Sequence, residues 1–134
     1  MTPEKLVKNF NRCQDWEEKY LYIIELGERL APISDDKRID DYLIKGCQSQ
    51  VWLDQVQDDQ GVFHFSGDSD AAIVKGLIAV TVIAFEGKTA KEILDFDINQ
   101  WFEELELHKH ITPTRSQGLS AMVASIQKTA EIYS

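Results

Sequence analysis

The segment Ala71 to Phe85 restricts the fold more than any other, because it is apolar on nearly every side of a helix and carries Lys75 as its one charge. A helix without a polar face has to be surrounded by other elements. The run falls short of the roughly 20 residues that a membrane crossing requires and contains Lys75 and Gly76, so it is expected at the centre of a globular core. Asp68 or Ser69 is its expected cap, and Gly87 its stop.

The flanking segments supply the surroundings. Thr2-Pro3-Glu4 is a helix start, with a hydroxyl to cap and a proline whose missing N–H costs nothing in the first turn. Asp15 with Glu18 resembles a capping box. Behind it Trp16, Tyr20, Ile23, Ile24 and Leu30 recur at helical spacing, predicting a second helix that ends near Leu30 to Pro32. From Tyr42 the period changes. Val51, Leu53 and Val56 in one run, and Val62, Phe63 and Phe65 in the next, flank the turn-forming stretch Gln57 to Gly61 and predict a β-hairpin, extended to a third strand by Tyr42 to Lys45.

Beyond the central helix, Thr89 with Glu92, Asp97 with Gln100 and Thr114 with Gln117 mark two short helices and a longer terminal one. The last places Leu119, Met122, Val123, Ile126, Ala130 and Tyr133 on one face. No repeat or Pro/Gly-rich linker divides the 134 residues, so the expectation is one α+β domain over residues 1–134, an antiparallel sheet of about three strands flanked by helices.

Charge narrows the function classes. With 14 basic against 23 acidic residues the formal charge is -9, which repels phosphate backbones and anionic lipid surfaces. Neither nucleic acid nor membrane is an expected partner. Met1 to Phe10 lacks the uninterrupted apolar stretch of a secretory signal, which leads to a cytoplasmic expectation and to reduced thiols at Cys13 and Cys47. Those cysteines with His64, His108 and His110 do not fall at zinc-ligand spacing, and the glycines form no phosphate-cradling string, so no metal or cofactor of its own is expected. His108-Lys109-His110 reads as the decoration of a helix end.

The most unusual string is Gly46-Cys47-Gln48-Ser49-Gln50, a nucleophile between a flexible glycine and short polar residues just before a strand. Two readings fit Cys47. It is either a loop thiol with access to an attacking role or a small residue buried at a strand start. Cys13, late in the first helix, has no activating pattern around it. Asp68 and Asp70 suit a helix amino terminus, whereas Arg115 opens the terminal helix where the dipole disfavours a cation. Arg115 therefore wants a partner, and Asp70 or Asp68 is the candidate.

Together, Gly46-Cys47-Gln48-Ser49-Gln50-Val51-Trp52, Gly67-Asp68-Ser69-Asp70-Ala71-Ala72-Ile73-Val74-Lys75-Gly76-Leu77 and Thr112-Pro113-Thr114-Arg115-Ser116-Gln117-Gly118-Leu119 resemble the three signature segments of the SufE family, CsdE-like proteins included. The resemblance runs from about Tyr20 to the carboxyl terminus. It implies an α+β fold shared with iron–sulfur scaffold proteins of the IscU kind. It also implies a sulfur acceptor and activator for a pyridoxal-phosphate cysteine desulfurase of the SufS or CsdA kind, the cofactor belonging to that partner. Cys47 would carry the sulfur as a persulfide and pass it to an iron–sulfur scaffold. Gly46 would give its loop freedom, and Gln48, Ser49 and Gln50 would orient the loop by hydrogen bonds. Asp70 and Arg115 would hold it in its resting pose.

Three rivals remain at this level: an iron–sulfur scaffold, a thiol redox protein with Cys13 resolving Cys47, and an adaptor whose Cys47 is structural. The scaffold needs more cluster ligands than Cys47 alone supplies.

Overall fold

Two glycines decide how the central helix meets its neighbour. Helix α2 (Trp16–Glu28) lies against α3 (Ala72–Phe85), and a Cβ on Gly76 would strike the carbonyl oxygen of Ile23. A Cβ on Gly27 would stand 2.7 Å from the Gly76 nitrogen. The two backbones touch, which only glycine at these positions permits. The computed structural model describes residues 1–134. In it α3 buries Ile73, Val74, Leu77, Ile78, Val80 and Phe85, as a helix without a polar face must.

Around α3 one cluster of 30 buried residues extends from Leu6 and Phe10 of α1 (Pro3–Arg12) to Ala130 of α6 (Pro113–Ile132). Between them lie α4 (Ala90–Asp95) and α5 (Ile98–Leu105). Thr89 and Glu92 form the expected capping box, and Asp97 accepts from the Gln100 amide. No helix is long and apolar enough to cross a membrane.

The sheet is smaller than expected, with two antiparallel strands, β1 (Val51–Gln57) and β2 (Phe63–Ser69), paired from Val51↔Ser69 to Gln57↔Phe63. The segment Tyr42 to Lys45 adds only the bridge Leu43↔Trp52 and a 2.8 Å bond from the Ile44 amide to the Val51 carbonyl. A 3₁₀ turn over Asp40–Tyr42 before it, and Gly46 with φ +93° after it, leave no length for a ladder. Val51, Leu53, Phe63 and Phe65 point into the core, which places the hairpin on the helices as an α+β layer. The outer edge of β2 is closed by neighbours: the Phe63 amide donates to the Lys88 carbonyl, Phe65 to Glu86 Oε1 and Gly67 to the Ala31 carbonyl.

Other expectations need correction. Ala71, not Asp68 or Ser69, occupies the cap position of α3 and contributes no side-chain bond. Strand β2 continues through Ser69, so the candidate caps are committed elsewhere. Helix α6 is capped by Thr112, whose Oγ1 accepts from the Arg115 amide, because Pro113 fits the first turn and moves the start two residues ahead of Thr114. Tyr133 lies past the end of α6 and is exposed, as is Tyr20 on α2, and Leu30 is buried just beyond the end of α2 at Glu28.

Ion pairs pin the irregular chain between α2 and β1 to the hairpin. Lys37 Nζ stands 2.7 Å from Asp54 Oδ2, and Arg38 Nη2 stands 2.5 Å from Asp68 Oδ2. At the other end of the hairpin, His64 sits between Asp58 (Nε2 to Oδ2, 2.9 Å) and Glu86 (Nδ1 to Oε2, 2.7 Å). The bonds to Asp58 and Glu86 raise the imidazole above its ordinary value, and the bond to His64 lowers Asp58.

These contacts can be tested one at a time. Gly76→Ala should destabilise the fold by about 3 kcal/mol, because backbone rather than a flexible side chain blocks the new methyl. A urea midpoint unchanged from the parent would contradict the contact. For His64 the raised folded-state pKa stabilises fully below the unfolded value near ~6.5 and is lost as pH rises through the folded value. The lowered Asp58 stabilises above ~3.9 and is lost as pH falls through its folded value. His64→Asn should therefore cost most between about pH 4 and pH 6.5 and approach the parent in alkali, read from melting curves across pH.

Candidate functional site

The loop that bears Cys47 is shaped by its first residue. At φ +93° Gly46 adopts a backbone that other residues rarely reach, and it turns the chain against α6, where a Cβ would lie 3.5 Å from that of Ala121. Cys47 then faces the first turns of α6. Its thiol donates to the Gly118 carbonyl at 3.6 Å, and the side chain is partly buried.

Burial pushes the Cys47 thiol above its usual value, and no cation offsets it. At rest the group is a neutral thiol with little of the thiolate that attacks sulfur. Cys47 thus lies between the two sequence readings, a loop thiol that is partly buried without being sealed in the core. It borders a cleft of about 320 Å³. Val74, Leu77, Leu119 and Met122 form the apolar wall, and Thr112, Thr114 and Arg115 the polar one.

The far end of the loop is held at two points from the end of β2. Asp70 Oδ1 accepts from the Gln50 amide at 3.2 Å, and Ser69 Oγ donates to the Gln50 carbonyl at 2.7 Å. The bonds therefore run from the main chain of Gln50, and the side chains of Gln48, Ser49 and Gln50 make none within the protein. Gln48 and Ser49 line the cleft. Ser69 is the site residue that sequence reasoning missed. It lies in the string Gly67-Asp68-Ser69-Asp70, where a cap was expected, and only the pairing of Ser69 opposite Val51 brings it to the loop.

Arg115 lies on the cleft but pairs with neither candidate carboxylate. Asp68 is held by Arg38 at 2.5 Å and Lys75 at 3.6 Å, and Asp70 is turned to Gln50. The guanidinium has no ion-pair partner, and it shares the cleft with the thiol.

Cys13, the residue that ends α1, lines a separate depression with Asn9, Arg12 and Glu18 and donates to the Asn9 carbonyl at 3.6 Å. Burial first, and then Glu18, push its thiol up as well. Both cysteines are free. His108 bonds Ser116 Oγ at 2.7 Å, and His110 stacks on Trp16 with ring centroids 4.2 Å apart, so the triplet joins helix ends. No three His, Cys, Asp or Glu side chains converge as a metal ion would need.

Residues 4–130 match the family model of SufE, described as an Fe-S metabolism associated domain. The solution structure of a hypothetical protein from Thermus thermophilus superposes with a TM-score of 0.79 at 16% identity, over 99% of this chain and 98% of that one. It shares the fold.

Because Asp70 anchors the loop through one main-chain bond, Asp70→Ala should speed alkylation of Cys47 by about threefold or more, measured in a Cys13→Ser background. An unchanged rate would mean that Ser69 and the Gly118 contact hold the loop unaided.

Proposed function

The chain belongs to the SufE family, and on that premise we propose that it accepts sulfur on Cys47 from a cysteine desulfurase, stimulates that enzyme and delivers the sulfur for iron–sulfur cluster assembly. The observation that carries the reading is the setting of Cys47, a neutral thiol tucked against a carbonyl at the edge of a cleft, in a loop held by few bonds.

The exchange needs no net oxidant. Cys47, deprotonated, attacks the terminal sulfur of a persulfide on the desulfurase; a new S–S bond forms at Cys47, the partner's S–S bond breaks, and the partner cysteine leaves as thiolate. One proton passes from the Cys47 thiol to the system of the leaving thiolate, so a thiol and a persulfide exchange places. Pyridoxal phosphate, which releases sulfur from free cysteine, belongs to the desulfurase. Hand-over to an iron–sulfur scaffold repeats the same attack with Cys47 as the leaving group.

Burial and the loop's tethers explain how one thiol is quiet alone and reactive in a complex. In the resting pose the thiol lacks both ionisation and reach, which also slows the oxidation to which thiolates and persulfides are prone. Docking of the desulfurase supplies contacts that replace the Gly118 carbonyl and the Gln50 tethers, so the loop swings out about Gly46. Asp70 and Ser69 act as tethers, and Gln48 and Ser49 travel with the thiol. Arg115, unpaired in the cleft, lies on its α6 side. A redox pair of Cys47 with Cys13 has no support in the arrangement, since the two thiols line separate clefts.

Incubation with cysteine and a cysteine desulfurase should raise the intact mass by one sulfur atom, reversibly with reductant. The gain should be absent in Cys47→Ser and present in Cys13→Ala. No gain with the parent protein would remove the carrier role, and desulfurase stimulation that survives Cys47→Ser would leave an adaptor.

A further inference from the structure

Gly118 lies inside α6, with an ordinary helical backbone that any residue adopts, and a glycine there weakens the helix relative to alanine. Its lack of a side chain serves no close backbone approach of the kind seen at Gly76. A Cβ at position 118 would find its three nearest atoms in a single residue: Cys47 Sγ at 3.4 Å, Cβ at 3.7 Å and Cα at 3.9 Å. These are ordinary contacts, so the thiol form has no need of the glycine. The methyl-sized space has Cys47 as its nearest neighbour across the loop and borders the cleft that both residues line.

Resting on the persulfide reading above, we infer that Gly118 is a positioning residue that reserves room for the second sulfur, so that Cys47 closes back into its seat after loading. The added atom stands about 2.05 Å from Sγ. Loading also removes the S–H hydrogen, so Sγ no longer donates to the Gly118 carbonyl, and the seat depends on fit rather than on that bond. With a methyl at position 118, the sulfur bonded to Sγ loses part of the rotation about the Cβ–Sγ bond, while the thiol keeps an ordinary contact. The glycine thus distinguishes the loaded carrier from the empty one.

Gly118→Ala and the parent protein are loaded with a desulfurase and cysteine, separated from both, and challenged with dithiothreitol. The dithiol reduces the persulfide, yielding the Cys47 thiol, hydrogen sulfide and the cyclic disulfide. Sulfide release from the variant should be about fivefold to thirtyfold faster, the range expected for mild overpacking at the seat. Alkylation of the unloaded thiol should differ between the two proteins by less than about twofold, with no fall in melting temperature. Equal sulfide release from both loaded proteins would overturn the inference, and so would equal acceleration of thiol alkylation, which would reveal a general loosening of the loop. Absence of any persulfide on the parent would instead refute the carrier reading on which it rests. Gly118→Ser, bulkier than alanine but with a helix propensity between glycine and alanine, should also release sulfide faster than the parent, which separates crowding from any gain in helix stability.

Discussion

Contact between the backbones of α2 and α3 is the constraint on which the rest of the structure depends. With Gly27 and Gly76 facing each other, two helices close to a separation that side chains would forbid, and α3 is left wholly inside. The hairpin then has one apolar surface on which to settle, made by the face of α3 turned away from α2. Gly67 extends the same logic into the sheet, since a Cβ there would lie 2.8 Å from the Trp52 carbonyl oxygen and 3.2 Å from Ile78 Cγ2. Close approach is thus used twice, once between helices and once where β2 crosses α3.

The site inherits its position from this packing. Strand β2 ends at Ser69 directly before α3 begins, so the two residues that grip Gln50 stand at the junction of sheet and core helix. Helix α6 brings Gly118 to the other side. Cys47 is therefore held between two elements of the core by weak and few bonds, and a lightly tethered loop on such a frame suits the outward movement proposed for it.

The sequence made the elements legible where periodicity and caps agreed. The apolar run through Phe85, the capping box at Thr89 and the hairpin around Gln57 to Gly61 each carry a local signal strong enough to survive folding. What failed was chemistry decided at a distance. Asp68 reads locally as a cap or as a partner for Arg115, but Arg38, thirty positions earlier, reaches it once the chain between α2 and β1 folds back over the hairpin. Tyr42 to Lys45 has strand-forming residues, yet the turns on either side stop the ladder after one bridge. At the site, Cys47 was marked by its unusual surroundings, but Ser69 and Gly118 became visible only when register and helix contact were known. Arg115 drew notice because the helix dipole disfavours a cation at the start of α6, and the family resemblance then added the surrounding segments without their partners.

The single bond from the Ile44 amide to the Val51 carbonyl closes the base of the Cys47 loop, and this sets a length. Cys47 stands only three positions beyond Ile44, so a fully extended arm spans about 10 Å. A loop anchored in this way resembles a short crane arm whose base is fixed to the sheet and whose joint is Gly46. On the proposed function, a group that exchanges sulfur with Cys47 would have to come within that radius of the strand start, and a donor buried more deeply than the arm is long would be out of range unless its own chain moved. Under that proposal the depth of the partner's pocket and the length of this arm would be matched quantities, and a one-residue deletion between Ile44 and Cys47 would change the compatible depth by about 3.5 Å.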